Sequence, residues 1–299
     1  DSTIYGDAGN DNISVNTSNN YSNQFADGLI VYGGEGDDYI NGREFKKVDA
    51  GSGDDIVYTC FSNDQNPTLI GGDGYDKLIF AWQASGNYID LLNISEFEEI
   101  DFQDIGYATE IIFPDQLASS GLNLIVDANH YAIAALLDFS AETDATLDIT
   151  GSHPNYNYYP KDKIIGGELA DIIKSLGGDD TVSGKGGNDT LNLGEGDDTV
   201  TGGAGDDTID GGEGIDTAIF SGNKDDYSIS THLTGLVETI TVVGADGTDT
   251  LNNVETLQFD DGSIDVRPAG RTIKDSGQGV FAPISGDPIV GQTLTAGSI

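Results

Sequence analysis

Ten aspartates in this chain occupy one phase of a nine-residue pattern, each preceded by a glycine-rich stretch and followed two places on by an apolar residue. Six units run without insertion from Gly166: GGELADIIK, SLGGDDTVS, GKGGNDTLN, LGEGDDTVT, GGAGDDTID and GGEGIDTAI. Their sixth positions are Asp171, Asp180, Asp189, Asp198, Asp207 and Asp216. Four interrupted units come earlier, GDAGNDNIS, GGEGDDYIN, AGSGDDIVY and GGDGYDKLI, with Asp11, Asp38, Asp55 and Asp76 at the same phase. A carboxylate at every repeat is a hard oxygen ligand, and repeats that stack bring such carboxylates side by side. Like charges that close repel unless a cation lies between them. Carboxylate and carbonyl oxygens presented by a pliant glycine loop suit Ca²⁺ better than the smaller, strictly octahedral Mg²⁺. The competing reading, solvated loop aspartates that stabilise turns by local hydrogen bonds, does not require Asp at all ten positions with no Asn or Ser substitute.

The elements that must position these groups follow from the same unit. Glycines at the first, second and fourth positions allow positive φ and a tight turn whose carbonyls point inward together. The last three residues alternate outward and inward as a short strand, and the inward one, at position eight, is apolar in every unit. Two units then make one coil, so each unit stacks on the next but one at the strand spacing of about 4.8 Å.

Composition agrees. The 299 residues hold 52 Asp plus Glu against 12 Lys plus Arg, a formal charge of -40. Nucleic acid is excluded as a partner, because binding a phosphate backbone needs clustered cations. Self-repulsion on this scale calls for a cationic partner. The lone Cys60 cannot form an internal disulfide, and no apolar run reaches the roughly 18 residues of a membrane span. With no Met and a start inside a repeat, the chain reads as a piece of a larger polypeptide.

The nonapeptides resemble the repeats-in-toxin (RTX) family, whose GGxGxDxUx unit is a named Ca²⁺-binding β-helix repeat. The resemblance implies an all-β fold, a right-handed parallel β-roll or β-solenoid with a C-terminal β cap. It also implies several calcium ions, each held by sixth-position aspartates and carbonyls of two stacked loops. In the second block the pairs would be Asp171 with Asp189, Asp180 with Asp198, Asp189 with Asp207, and Asp198 with Asp216. The first pair is weakened by Leu169 in place of the fourth-position glycine, and the carbonyl donors would be Gly184, Gly186, Gly202, Ala204 and neighbours.

Organisation is read as an interrupted block over 1–79, spacer coils over 80–165, the six-unit roll over 166–219, a cap over 220–266, and a linker with the start of an Ig-like repeat over 267–299. The spacer runs KLIFAW, NYIDLLNIS, FEEIDF, TEIIF, LNLIVDA, AIAALLDF and ATLDITG are strand-sized, which predicts one continuous solenoid. PDQLASSG at 114–121 has room for a helical turn, and Asp246, Asp249, Asp260 and Asp261 are weaker candidates for further ions. Asp287-Pro288 is a dipeptide at which some RTX proteins cleave themselves, here an accident of composition more often than a processing site.

No catalytic constellation emerges. His130, His153 and His232 lie in unrelated contexts without HExxH, Cys60 shows no sign of activation, and no GxSxG elbow, phosphate loop or zinc signature occurs. The tyrosines of HPNYNYYPKDK, Tyr156, Tyr158 and Tyr159, read as loop padding ahead of a glycan platform. The expectation is a non-enzymatic segment that folds on binding calcium, within a large secreted or surface-attached bacterial protein of structural, adhesin-like or surface-layer role. The alternative is the folding and secretion region of an enzyme whose catalytic domain lies elsewhere. The partners expected are calcium ions and neighbouring modules of the same chain, with any glycan or surface ligand unknown.

Overall fold

Alternation of inward apolar and outward polar residues, broken by glycine at fixed intervals, makes a chain that turns after every short strand. The computed structural model describes residues 2–15, 28–43, 45–60, 67–80, 88–90, 93–102, 110–112, 123–127, 136–143, 145–151, 159–234 and 237–266. Within them the regular structure is strand, joined by short turns, and the one helical turn is Lys224–Asp226. His130, His153, Tyr156, Tyr158, the 114–121 stretch and everything past 266, including Asp287-Pro288, lie outside the described residues.

The strands stack in parallel into a solenoid. One face is a single 13-stranded sheet that begins at Asn12–Ser14, passes through both nonapeptide blocks and the spacer, and reaches Thr248–Asn252. The opposite face is built in two stretches, a five-stranded sheet from Thr3–Ala8 to Ile94–Ser95 and a nine-stranded sheet from Tyr88–Asp90 onward. The exchange occurs in the coil containing Tyr88–Asp90, Ile94–Ser95 and Glu99–Phe102, where the first sheet ends and the second begins.

In-register stacking puts like on like. Thr190, Leu191 and Asn192 pair with Thr208, Ile209 and Asp210, and Thr181, Val182 and Ser183 pair with Thr199, Val200 and Thr201. The middle residue of each strand points in, so the core is two facing rows: Ile40, Val57, Leu78, Ile100, Ile149, Ile173, Leu191 and Ile209 on one side, with Leu137, Ile164, Val182, Val200 and Ala218 on the other, all buried. A one-residue slip would turn each row out to solvent, so burial fixes the register that aligns the turns.

Both sheets end in reversed strands. The hairpin of Ser228–Thr234 and Val237–Val243 lies antiparallel along Thr248–Asn252, and Gly262–Asp265 folds back on Thr256–Phe259. Phe220, Tyr227 and Phe259 pack together beside them, with ring centroids 5.2 to 5.5 Å apart. These strands cover the last parallel edges, which would otherwise offer unpaired amides and carbonyls to another chain.

Candidate metal centre

The turns between the faces carry the aspartates, and two blocks use them differently. In the second block both turns of each coil are nonapeptides, giving one file through Asp171, Asp189 and Asp207 and another through Asp180, Asp198 and Asp216. In the first block each coil contains one nonapeptide, so Asp11, Asp38, Asp55 and Asp76 form a single file and each unit stacks on the very next. This departs from the two-units-per-coil expectation, because the segments between these units each complete a coil.

One hydrogen bond repeats along every file. The backbone amide of each aspartate donates to Oδ1 of the aspartate one coil on: Asp171 to Asp189 at 2.8 Å, Asp180 to Asp198 at 2.7 Å, Asp189 to Asp207 at 2.9 Å and Asp198 to Asp216 at 2.9 Å. Asp11, Asp38 and Asp55 donate likewise to Asp38, Asp55 and Asp76 at 2.9, 2.7 and 2.9 Å. The fifth-position residues stitch in the opposite sense, with the amide of the later coil donating to the earlier side chain, as in Asp54 to Asp37 and Ile215 to Asp197.

That bond fixes each carboxylate and leaves its second oxygen inside the turn. Oδ2 of Asp11, Asp38, Asp55, Asp76, Asp180, Asp189, Asp198, Asp207 and Asp216 is buried with no hydrogen-bond partner. Nine buried carboxylate oxygens without donors would be costly in any fold that did not bring them a cation. Burial first, then neighbouring carboxylates, pushes Asp76, Asp180, Asp189 and Asp216 up to about 7 and Asp55 and Asp198 up to about 6, against the partial relief of the donated amides.

The glycines frame the same point. Positive φ falls at the second and fourth positions, as at Gly34 and Gly36 or Gly203 and Gly205. The first position has a different reason for glycine, correcting the expectation that all three serve φ: its bare Cα faces the carboxylate and a carbonyl of the next coil. A Cβ on Gly184 would collide with Oδ2 of Asp189 and lie 2.6 Å from the carbonyl of Gly202, and one on Gly166 would lie 2.7 Å from the carbonyl of Gly184. The carbonyls of Gly184 and Gly202, two of the expected donors, thus converge on the turn beside an aspartate. Gly186 and Ala204 pair with each other in the ladder, and the Ala204 carbonyl accepts the Gly187 amide at 2.9 Å.

Asp171 stands apart. Its Oδ2 accepts the Gly167 amide at 2.8 Å and its Oδ1 the Leu147 amide at 2.9 Å, while neither Gly167 nor Leu169 has positive φ. Lys185 Nζ bridges this turn, 3.0 Å from Glu168 Oε1 and 3.2 Å from the Ser140 carbonyl.

An eleventh unit was hidden in the expected cap. GADGTDTLN, from Gly244, continues the file when Asp249 Oδ1 accepts the Asp207 amide at 3.0 Å and Leu251 pairs with Ile209. The inserted hairpin displaces it from the run, though Gly, Gly, Asp and Leu at positions one, four, six and eight mark it. Asp260 and Asp261, candidates for ions from sequence, accept the Gly222 and Lys224 amides at 3.0 and 2.9 Å.

The family model of the RTX calcium-binding nonapeptide repeat matches four segments, residues 1–21, 30–44, 161–191 and 183–218. These segments are RTX calcium-binding repeats. No curated protein matches the chain. The turns fit the ion that RTX repeats bind: each coil of a file brings a buried carboxylate oxygen without a donor beside a backbone carbonyl of the neighbouring coil, an oxygen-only set. Calcium held there would supply the positive charge that the buried Oδ2 atoms lack. The chain's own part is to aim those oxygens through the amide bond and to keep side chains off the first-position glycines.

Proposed function

We propose that this chain is a calcium-triggered folding segment of a large secreted or surface-attached bacterial protein, where it stiffens and positions neighbouring modules in a structural or adhesin-like role. The observation that carries this reading is the set of nine buried, donor-free Oδ2 atoms. Without cations the files repel and the acidic chain stays expanded enough to be threaded through an exporter. Calcium at the millimolar level outside the cell then closes the turns, so that binding energy becomes folding energy. Among the described residues no helix is long and apolar enough to cross a membrane.

Circular dichroism with calcium and with a chelator tests the folding step. A strand-rich spectrum that survives chelation at pH 7.5 would sink it. The full-length gene product tests the role: long tandem repeats around this segment fit the scaffold, whereas a hydrolase or peroxidase domain would make it the folding and secretion region of an enzyme.

A further inference from the structure

Each file needs an end, and two of them end the same way. After Asp76 the next coil replaces the whole glycine loop by Glu96-Phe97-Glu98, and after Asp216 the next coil does so by Asn253-Val254-Glu255. Glu96 and Asn253 have φ of 62° and 52°, and Phe97 and Val254 are buried. The Asp76 amide donates to Glu98 Oε2 at 2.7 Å, and the Asp216 amide to Glu255 Oε2 at 2.8 Å, repeating the bond that Asp makes to Asp elsewhere. The Asp76 carbonyl in return accepts the amides of Glu98 and Glu99 at 3.0 and 3.1 Å, as the Asp216 carbonyl accepts those of Glu255 and Thr256 at 3.1 and 2.9 Å.

The ligand-seeking oxygens persist at these ends. Asp76 and Asp216 are fully buried, and each keeps an Oδ2 with no donor. Carbonyls of the terminating coil point at the same spot. A Cβ on Gly71 would collide with the Glu96 carbonyl and lie 2.8 Å from Asp76 Oδ2, and one on Gly211 would collide with the Asn253 carbonyl and lie 2.6 Å from Asp216 Oδ2. Glu98 and Glu255 are themselves buried, at 6 and 8 % exposure, and stand close enough to raise the proton affinity of the neighbouring aspartate.

We propose that Glu98 and Glu255 are calcium ligands, each completing a terminal site with Asp76 or Asp216, so that a block holds one ion beyond its last pair of nonapeptides. The inference rests on the calcium reading above. Glutamate is the acid suited to the position, because its extra methylene lets a turn without a glycine loop still reach the preceding aspartate's amide and present a charge beside it. A glycine loop with two carboxylates and a facing carbonyl matches the oxygen-only ligand set of Ca²⁺.

Equilibrium dialysis of the whole chain against radioactive calcium tests this with Glu98→Gln, Glu255→Gln and the double variant. Glutamine keeps an acceptor for the aspartate amide and removes the charge. Each single variant should bind one ion fewer than wild type and the double variant two fewer, with the wild-type circular dichroism retained at saturating calcium. Unchanged counts and midpoints would overturn the proposal and leave the glutamates as amide acceptors alone. A wild-type chain that binds no calcium would fail the parent reading, a result distinguishable from that one. Misfolding of one variant leaves the other block to decide.

Discussion

The amide of Asp189 donates to Oδ1 of Asp207 across the coil boundary at 2.9 Å, and this bond decides where the other oxygen of Asp207 points. The aspartate therefore has two separable tasks, one as acceptor and one as charge. Asp207→Asn keeps an acceptor and loses the charge, whereas Asp207→Ala also strands a buried amide at a cost of about 1–3 kcal/mol. In calcium both variants should bind fewer ions, and Ala should be less stable than Asn by about that margin in urea unfolding. Equal stability of the two would show that the amide bond contributes nothing.

Acid should stand in for calcium. In the ion-free fold Asp76, Asp180, Asp189 and Asp216 titrate at about 7, and Asp55, Asp198 and Asp249 at about 6, chiefly through burial, whereas the unfolded chain titrates near 3.8. Between these limits the folded state binds more protons than the unfolded one. Its stability is therefore fullest below the unfolded value and is lost as pH rises through 6 and 7. In chelator, circular dichroism should show strand structure gained on acidification from pH 8 to pH 5, and calcium affinity should weaken over the same interval because ions and protons compete for one oxygen. An ion-free chain that gains structure as pH rises would contradict the sign.

Much of this was legible in the sequence, because the nonapeptide encodes turn, strand and ligand in one unit. The phase of ten aspartates and the inward row of Ile173, Leu191 and Ile209 needed no coordinates. What the linear pattern hid was pairing across coils. Asp38 lies on Asp55 only because residues between the two units complete a coil of their own, and no local signal states that. The unit at Gly244 was masked by the hairpin inserted ahead of it. Glu98 and Glu255 sit in FEEIDF and VETLQF, strings that read as ordinary strands until each glutamate is seen to accept an aspartate's amide. The reason for first-position glycine was also beyond sequence, since it is a collision with the neighbouring coil and not a local φ.

That collision separates Gly184, at the first position of its unit, from Gly186, two residues on at the variable third position. A methyl on Gly184 meets Asp189 Oδ2 and the Gly202 carbonyl, while a methyl on Gly186 comes no nearer than 3.3 Å to the Glu168 carbonyl and needs no positive φ. Gly184→Ala should lose an ion in calcium titration and destabilise by about 2 kcal/mol or more, as an overpacked buried site does. Gly186→Ala should stay within about 1 kcal/mol of wild type and keep the full count. Equal behaviour of the two in thermal melts and titrations would remove the spatial argument.

Asp171 provides the complementary case, an aspartate at the repeat phase whose two oxygens already have donors. The Gly167 and Leu147 amides occupy them, and the Lys185 ammonium bridges Glu168 and Ser140 across the same turn. A turn wired by its own amides and its own cation has no oxygen asking for an ion. Asp171→Asn should leave the calcium count of the chain unchanged, whereas Asp198→Asn should lower it. It should still destabilise, because one asparagine oxygen cannot accept both amides, and the one left facing an NH₂ group costs about 1–3 kcal/mol. That loss should be the same at low and high calcium, so the melting temperature should drop by an amount independent of the ion. A drop that grows with calcium concentration, or a missing ion, would place Asp171 among the ligands after all.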